Sequence, residues 1–158
     1  MGKVENTGKG PNAARGEPRV LLVRSERVLL ALEAGSLRQM IALERVTPVP
    51  RAHPALLGLV SVGGEVVPLL DLGRLLALPS EGFSPSYAAV VSVDGAQWAL
   101  ALEEVLGFER PGDLARPHSA PGRLGQVSRG TWMRGEQTAH LLDLVDLAAL
   151  EWNVVGRI

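Results

Sequence analysis

The sequence predicts a mainly β fold with a few short helices, built from two similar barrel-like units. Three observations predict it. Short apolar runs alternate with Gly, Pro and Asp punctuation along most of the chain, the pattern of short strands joined by turns. Two of the gaps, Gly63-Gly64 and Asp94-Gly95, are residue pairs that tolerate the positive φ of a tight hairpin turn. The chain also repeats itself. PLLDLGRLLAL (68–78) matches HLLDLVDLAAL (140–150) at an offset of 72, with Asp71/Asp143 and six apolar pairs identical. A shorter match, LALE at 30–33 and again at 100–103, has an offset of 70. Each half therefore opens on a hairpin and closes on a strand, an Asp cap and a short helix, which predicts two units of about 65 residues packed together.

In order, residues 1–18 carry little to bury and are expected to form a disordered leader. Residues 20–24 and 28–33 read as an opening hairpin. Residues 35–40 read as one or two helical turns capped by Ser36, and 41–50 as an extended stretch broken by proline. Residues 53–59 read as a short helix or turn with Pro54 in its first turn. Residues 60–62 and 65–70 form the second hairpin around Gly63-Gly64, and Asp71 caps a short helix to about Ala77. Residues 79–86 are a loop. Residues 87–93 and 96–104 form the third hairpin, and 107–122 cross the surface without regular structure. Residues 123–135 and 137–142 read as strands, and Asp143 caps a last helix to about Trp152. The ordered domain is expected over 19–151, followed by a tail at 152–158.

Composition narrows the function. With 158 residues the chain suits one domain, and 46% hydrophobic and 21% charged residues are ordinary for a globular protein. A net charge of −1 gives no electrostatic case for nucleic acid or an anionic membrane surface. Without cysteine there are no disulfides, thiolate metal sites or thiol nucleophiles. No apolar run approaches a membrane span, and the first residues lack the apolar core of a secretory signal, so a cytoplasmic location is expected.

The sequence offers no catalytic, cofactor-binding or metal site. His53, His118 and His140 are scattered, and no pair has the spacing of metal ligands. Phosphate-binding loops, nucleophile elbows and zinc-helix motifs are absent from the sequence. Asp71 and Asp143 begin apolar helical segments, where a carboxylate caps backbone N–H groups. Glu103 and Glu104 point to opposite sides if they share a strand, and Asp143 with Asp146 reads as a solvated helix face. Trp98, Trp132 and Trp152 read as packing or interface residues. Six aromatics, not interleaved with a basic stripe, do not make a stacking platform for single strands. A doubled β unit without a reactive constellation is best suited to binding other proteins. The alternative is a small-ligand-binding barrel or an enzyme outside signalling, which would need a polar cluster converging inside one unit. An RNA-binding barrel is disfavoured by charge.

At this point the residues resemble a family. LRQMIALERVTPVPRAHPALLGLVSVGGEVVPLLDLGRLLAL (37–78) is similar to the signature half of the CheW-like domain of bacterial chemosensory systems, through Thr47-Pro48-Val49-Pro50, Pro54, Leu57-Gly58, Gly64-Glu65-Val66-Val67-Pro68 and Asp71-Leu72. Residues 99–114 and 139–147 resemble that family's second half. Two departures stand out. Ser61-Val62-Gly63-Gly64 replaces the family's usual Asn-Leu-Arg-Gly, which puts Gly63 where an arginine commonly helps hold partners, and the segment from Pro54 to Gly58 is one residue short.

The resemblance implies two small five-stranded β-barrel subdomains. It implies a non-enzymatic adaptor that couples the regulatory domain of a CheA-type histidine kinase to the cytoplasmic tip of chemoreceptors, recruited to receptor arrays without inserting in the membrane. Carried over position by position, it places receptor contacts at Leu37 and Gln39 on the short helix and at Val62, Gly63 and Gly64 on the hairpin. It places kinase contacts at Met40, Leu43 and Val46. It implies no cofactor.

Overall fold

A computed structural model describes residues 19–79, 82, 84–117 and 120–155, with side chains to residue 150. The leader at 1–18, His118 and the end of the tail lie outside the described residues. Among the described residues, ten strands form two five-stranded sheets. β1 (Val20–Ser25) and β2 (Val28–Glu33) make the opening hairpin, and β3 (Leu37–Ala42) follows. β4 (Leu56–Val62) and β5 (Glu65–Asp71) make the second hairpin, closed by α1 (Leu72–Leu75). β6 (Tyr87–Val93) and β7 (Ala96–Leu102) make the third, followed by β8 (Glu104–Glu109). A single helical turn, α2 (Leu124–Val127), leads into β9 (Ser128–Arg134), β10 (Gln137–Leu142) and α3 (Leu144–Val155).

The sheet orders are β8-β1-β2-β10-β9 and β3-β6-β7-β5-β4. Neither sheet is a contiguous half of the chain, so the expectation of two sequential units is corrected. Each half gives its hairpin to one sheet and its last three strands to the other. The repeat itself is real and can be read in the ladders. Leu22 faces Gly107 as Val90 faces Gln39, and both ladders shift register one step on, an equivalence at an offset of 68. The bulge that separates Leu56 from Gly58 opposite Leu70 and Leu69 recurs between Ser128 and Gly130 opposite Leu142 and Leu141, at 72. The turn residues Glu26 and Arg27, at φ 50° and 68°, match Asp94 and Gly95, at 51° and 83°. On this mapping LALE at 30–33 corresponds to residues 98–101. The LALE match at 70 is therefore two residues out of step and arises from composition.

The sheets curl into barrel-like shapes whose seams are closed by side chains. Across the seam of the first, Arg134 on β9 donates from Nε to Glu109 Oε1 on β8 at 3.0 Å. In the second, Ile41 on β3 packs against the cluster that holds Val60 and Val62 of β4. Each sheet has its own small interior, and a larger core lies between them. That central core takes Leu30, Leu32, Leu70, Leu100 and Trp98 from the sheets and Leu72, Leu75, Leu144 and Leu147 from the helices. A helix of four residues cannot stand alone. α1 persists because Leu72 and Leu75 are buried and Asp71 Oδ1 accepts the Arg74 N–H at 3.1 Å, a cap that contributes about 1 kcal/mol. Asp143 caps α3 likewise, accepting from the N–H groups of Val145 and Asp146.

Four local expectations are corrected. Residues 37–40 are strand, because β6 offers them an edge to pair with, and the only helical element there is a 3-10 turn at Ala34–Ser36 without a Ser36 cap. At 53–55 the expected alternative of a turn is found, with the Ala55 N–H donating to His53 Nδ1, but it ends there, since Leu56 already belongs to β4. Glu104–Glu109 is a strand on the edge of the first sheet. Residues 124–127 are helical, since Leu124 and Val127 must both reach the central core, a spacing a strand does not provide.

Candidate partner-binding groove

The register of β3 sets the geometry of the site. Its bulge leaves Leu37 opposite Val91 and Met40 opposite Ala89, so two residues three apart share the face turned toward the other sheet. Leu37 packs on the central core and Met40 emerges at its margin. Tyr87, at the start of β6, continues the same face beyond Met40. The opposite wall comes from the corner between β7 and β8, with Glu103, Glu104 and Val105. Together these five residues line a cleft of about 410 Å³ between the two sheets. Met40, Tyr87 and Val105 are 37%, 55% and 38% exposed, an apolar strip left open at the edge of a well-packed core.

The acids of the far wall are held in place. Glu104 Oε1 accepts from Arg24 Nε at 3.0 Å, and Glu103 Oε2 accepts from the Glu26 backbone N–H at 3.1 Å. The strip thus faces two fixed carboxylates, one neutralised by Arg24 and one kept at the rim. An amphipathic helix with an apolar stripe and flanking basic residues complements such a groove.

The residues singled out from the sequence do not converge. Of the receptor set, Leu37 is half-buried against the central core and Gln39 is exposed on the edge strand, facing the other way. Val62 is only 7% exposed, inside the second sheet, so its side chain supports the hairpin from within. Gly63 and Gly64 form the exposed turn at φ 57° and 84°. The parallel β5–β7 pairing puts that turn at the end of the sheet where Asp94-Gly95 lies, with Tyr87 and Glu103 at the other end. An added Cβ at Gly63 would meet nothing within 4 Å. Space does not exclude an arginine there, but its left-handed backbone would cost about 1–2 kcal/mol.

Of the kinase set, Met40 belongs to the groove. Leu43 lines a separate cleft of about 430 Å³ at the seam of the second sheet, with Glu44, Arg45 and Ser61, and Val46 is exposed on the following loop. Tyr87 and Val105 escaped sequence reasoning as site residues. Tyr87 alternates with Ala89 and Val91, so its outward large ring at the strand end was the available signal.

Among the histidines, His53 serves its own turn, as above. His140 is buried on β10, and desolvation there lowers its pKa below the ordinary histidine value. Its native state therefore binds fewer protons than the unfolded chain as pH falls below about 6.5. Stability should be constant above neutrality and fall from about pH 6.5 downward. His140→Leu is expected to flatten that portion of the pH–stability curve, measured by urea unfolding, and to raise stability at pH 5.5 by about 1–2 kcal/mol. Among the described residues no cluster of three His, Asp or Glu can hold a metal ion, and no helix is long and apolar enough to cross a membrane.

The fold and groove together define a doubled β scaffold whose exposed apolar strip lies between interleaved sheets. Comparison with known proteins gives it a family. The CheW-like domain model matches residues 19–151, and the chain belongs to the CheW-like domain family. Protein FrzA of Myxococcus xanthus is 36% identical over 89 residues, covering 56% of this chain and 50% of that protein. The aligned part thus spans about half the length of that curated relative. The crystal structure of the scaffolding protein TtCheW from Thermoanaerobacter tengcongensis superposes with a TM-score of 0.69 at 14% identity, over 80% of this chain and 89% of that one. At that identity the likeness establishes the fold.

Proposed function

We propose that this protein is a non-enzymatic chemosensory adaptor that couples a chemoreceptor to a CheA-type histidine kinase. Family membership supports the pathway, and the groove of Met40, Tyr87 and Val105 is the observation that carries the binding role. The groove takes the helical hairpin tip of a receptor, its apolar strip against the receptor's apolar stripe and Glu103 toward basic residues on the receptor's flank. The kinase's regulatory domain engages a different surface, the cleft at the seam of the second sheet lined by Leu43, Glu44 and Arg45, with Val46 on the loop that follows. Two separated surfaces on one rigid frame let both partners bind together, and the geometry offered to one then depends on the other. The protein acts in the cytoplasm at the receptor array.

Capture of each partner tests the reading. The purified chain is expected to retain a receptor-tip fragment and, separately, a kinase regulatory domain from the same cell. Failure to retain either one removes the adaptor reading.

A further inference from the structure

The two halves of the chain act as controls on one another. By the ladder equivalence, Thr131, Thr138 and His140 on β9 and β10 correspond to Leu59, Val66 and Pro68 on β4 and β5. Asp113, two residues before the bridge that Ala115 makes to Thr131, corresponds to Arg45, two before the bridge that Thr47 makes to Leu59. The same backbone is built in the second sheet with apolar residues at these three strand positions. The fold does not demand the polar set in the first sheet.

In the first sheet these residues converge. Asp113, Thr131, Trp132, Met133, Thr138 and His140 line a cleft of about 460 Å³. His140 is 6% exposed, and its Nδ1 is fully buried with no hydrogen-bond partner. Leaving such a group unpaired costs about 1–3 kcal/mol, and native proteins rarely keep one without a use. The Thr138 hydroxyl donates to Met133 Sδ at 3.5 Å, a weak acceptor that an oxygen would displace. Asp113 is exposed and makes no ion pair among the described residues. Met133 is exposed on the same hairpin, while the Trp132 side chain alternates to the other face and is buried in the sheet's interior.

We propose that this cleft is a binding site for a small organic cation, a primary amine carrying an apolar body of roughly ten heavy atoms. The ammonium pairs with Asp113, the body lies along Met133, and a polar tip meets the Thr138 hydroxyl and the His140 ring. Burial keeps that imidazole neutral, so it offers a hydrogen bond and does not repel the ligand's charge. The site is on the first sheet, away from the groove between the sheets, and does not depend on the adaptor reading.

The test uses the full chain with tyramine as probe and 4-hydroxyphenylacetate as its anionic counterpart, followed by calorimetry and amide NMR. Tyramine is expected to bind with a Kd on the order of 0.1–1 mM and to shift the amides of Thr131, Thr138 and His140. The anion is expected not to bind. Asp113→Asn, an exposed change that leaves folding intact, should weaken tyramine by about tenfold, a loss of about 1.4 kcal/mol. Arg45→Gln, at the equivalent place in the other half, should leave it unchanged. Absence of saturable binding up to about 10 mM, equal binding of the anion, or indifference to Asp113→Asn would each overturn the proposal.

Discussion

Gly58→Ala is expected to destabilise the protein by about 3 kcal/mol or more, while Gly130→Ala, its equivalent in the other half, costs about 1–2 kcal/mol. The two glycines have nearly the same backbone, φ 151° and 156°, in a region that side-chain-bearing residues rarely adopt. Conformational strain is therefore shared, and the difference lies in space. A Cβ at Gly58 would strike the Thr47 carbonyl oxygen and come within 2.7 Å of Val46 Cγ1. That carbonyl accepts the Leu59 N–H at 2.8 Å, so it cannot retreat without opening the bridge that holds the 46–50 segment on β4. At Gly130 the nearest atom is Leu114 Cβ at 3.0 Å, with the Ala115 carbonyl oxygen at 3.2 Å, contacts that a shift of a few tenths of an ångström relieves. By thermal unfolding the pair should lower Tm by roughly 10 °C and 5 °C. Equal losses, or a larger one at Gly130, would mean that the close approach at Thr47 is not what fixes the glycine.

Met40→Asp should weaken receptor-tip binding at least about thirtyfold, a loss of about 2 kcal/mol, and leave Tm nearly unchanged. The side chain is over a third exposed at the margin of the core, so a carboxylate there keeps its water in the free protein. In the complex it would be buried against an apolar stripe beside Glu103 and Glu104, where desolvation and like charge both oppose it. Leu37→Asp is the contrasting variant. It shares the face but packs on the central core, so it should unfold the chain. Unchanged receptor affinity in a folded Met40→Asp protein would remove the groove from the binding surface.

Much of the fold was legible because local rules and global architecture agree. Asp94-Gly95 and Gly63-Gly64 sit in turns at positive φ, and Asp71 and Asp143 cap the helices that the repeat marks. The family motifs anchored at Gly58, Pro68 and Asp71 have physical grounds in the same positions, a collision avoided, a strand residue and a cap. What escaped is non-local. Arg38-Gln39-Met40 has the composition of a helix surface, and only the free edge of β6 makes it a strand. The exchange of hairpins between halves leaves no mark on either half's own pattern, because each strand pairs equally well with either sheet. The groove was hidden for the same reason. Met40 and Tyr87 meet Val105 only after the sheets interleave, and Val62, which lies beside the turn in sequence, points inward because its strand alternates from buried Val60.

In the proposed adaptor role, one chain holds two macromolecules at once on separate surfaces. Sedimentation velocity on a mixture of this protein, a receptor-tip fragment and the kinase's regulatory domain tests it most directly. A single boundary containing all three, present only when the adaptor is added, is the expected result. Two binary boundaries that compete for the chain, or a receptor–kinase boundary that forms equally without it, would rule out the adaptor role.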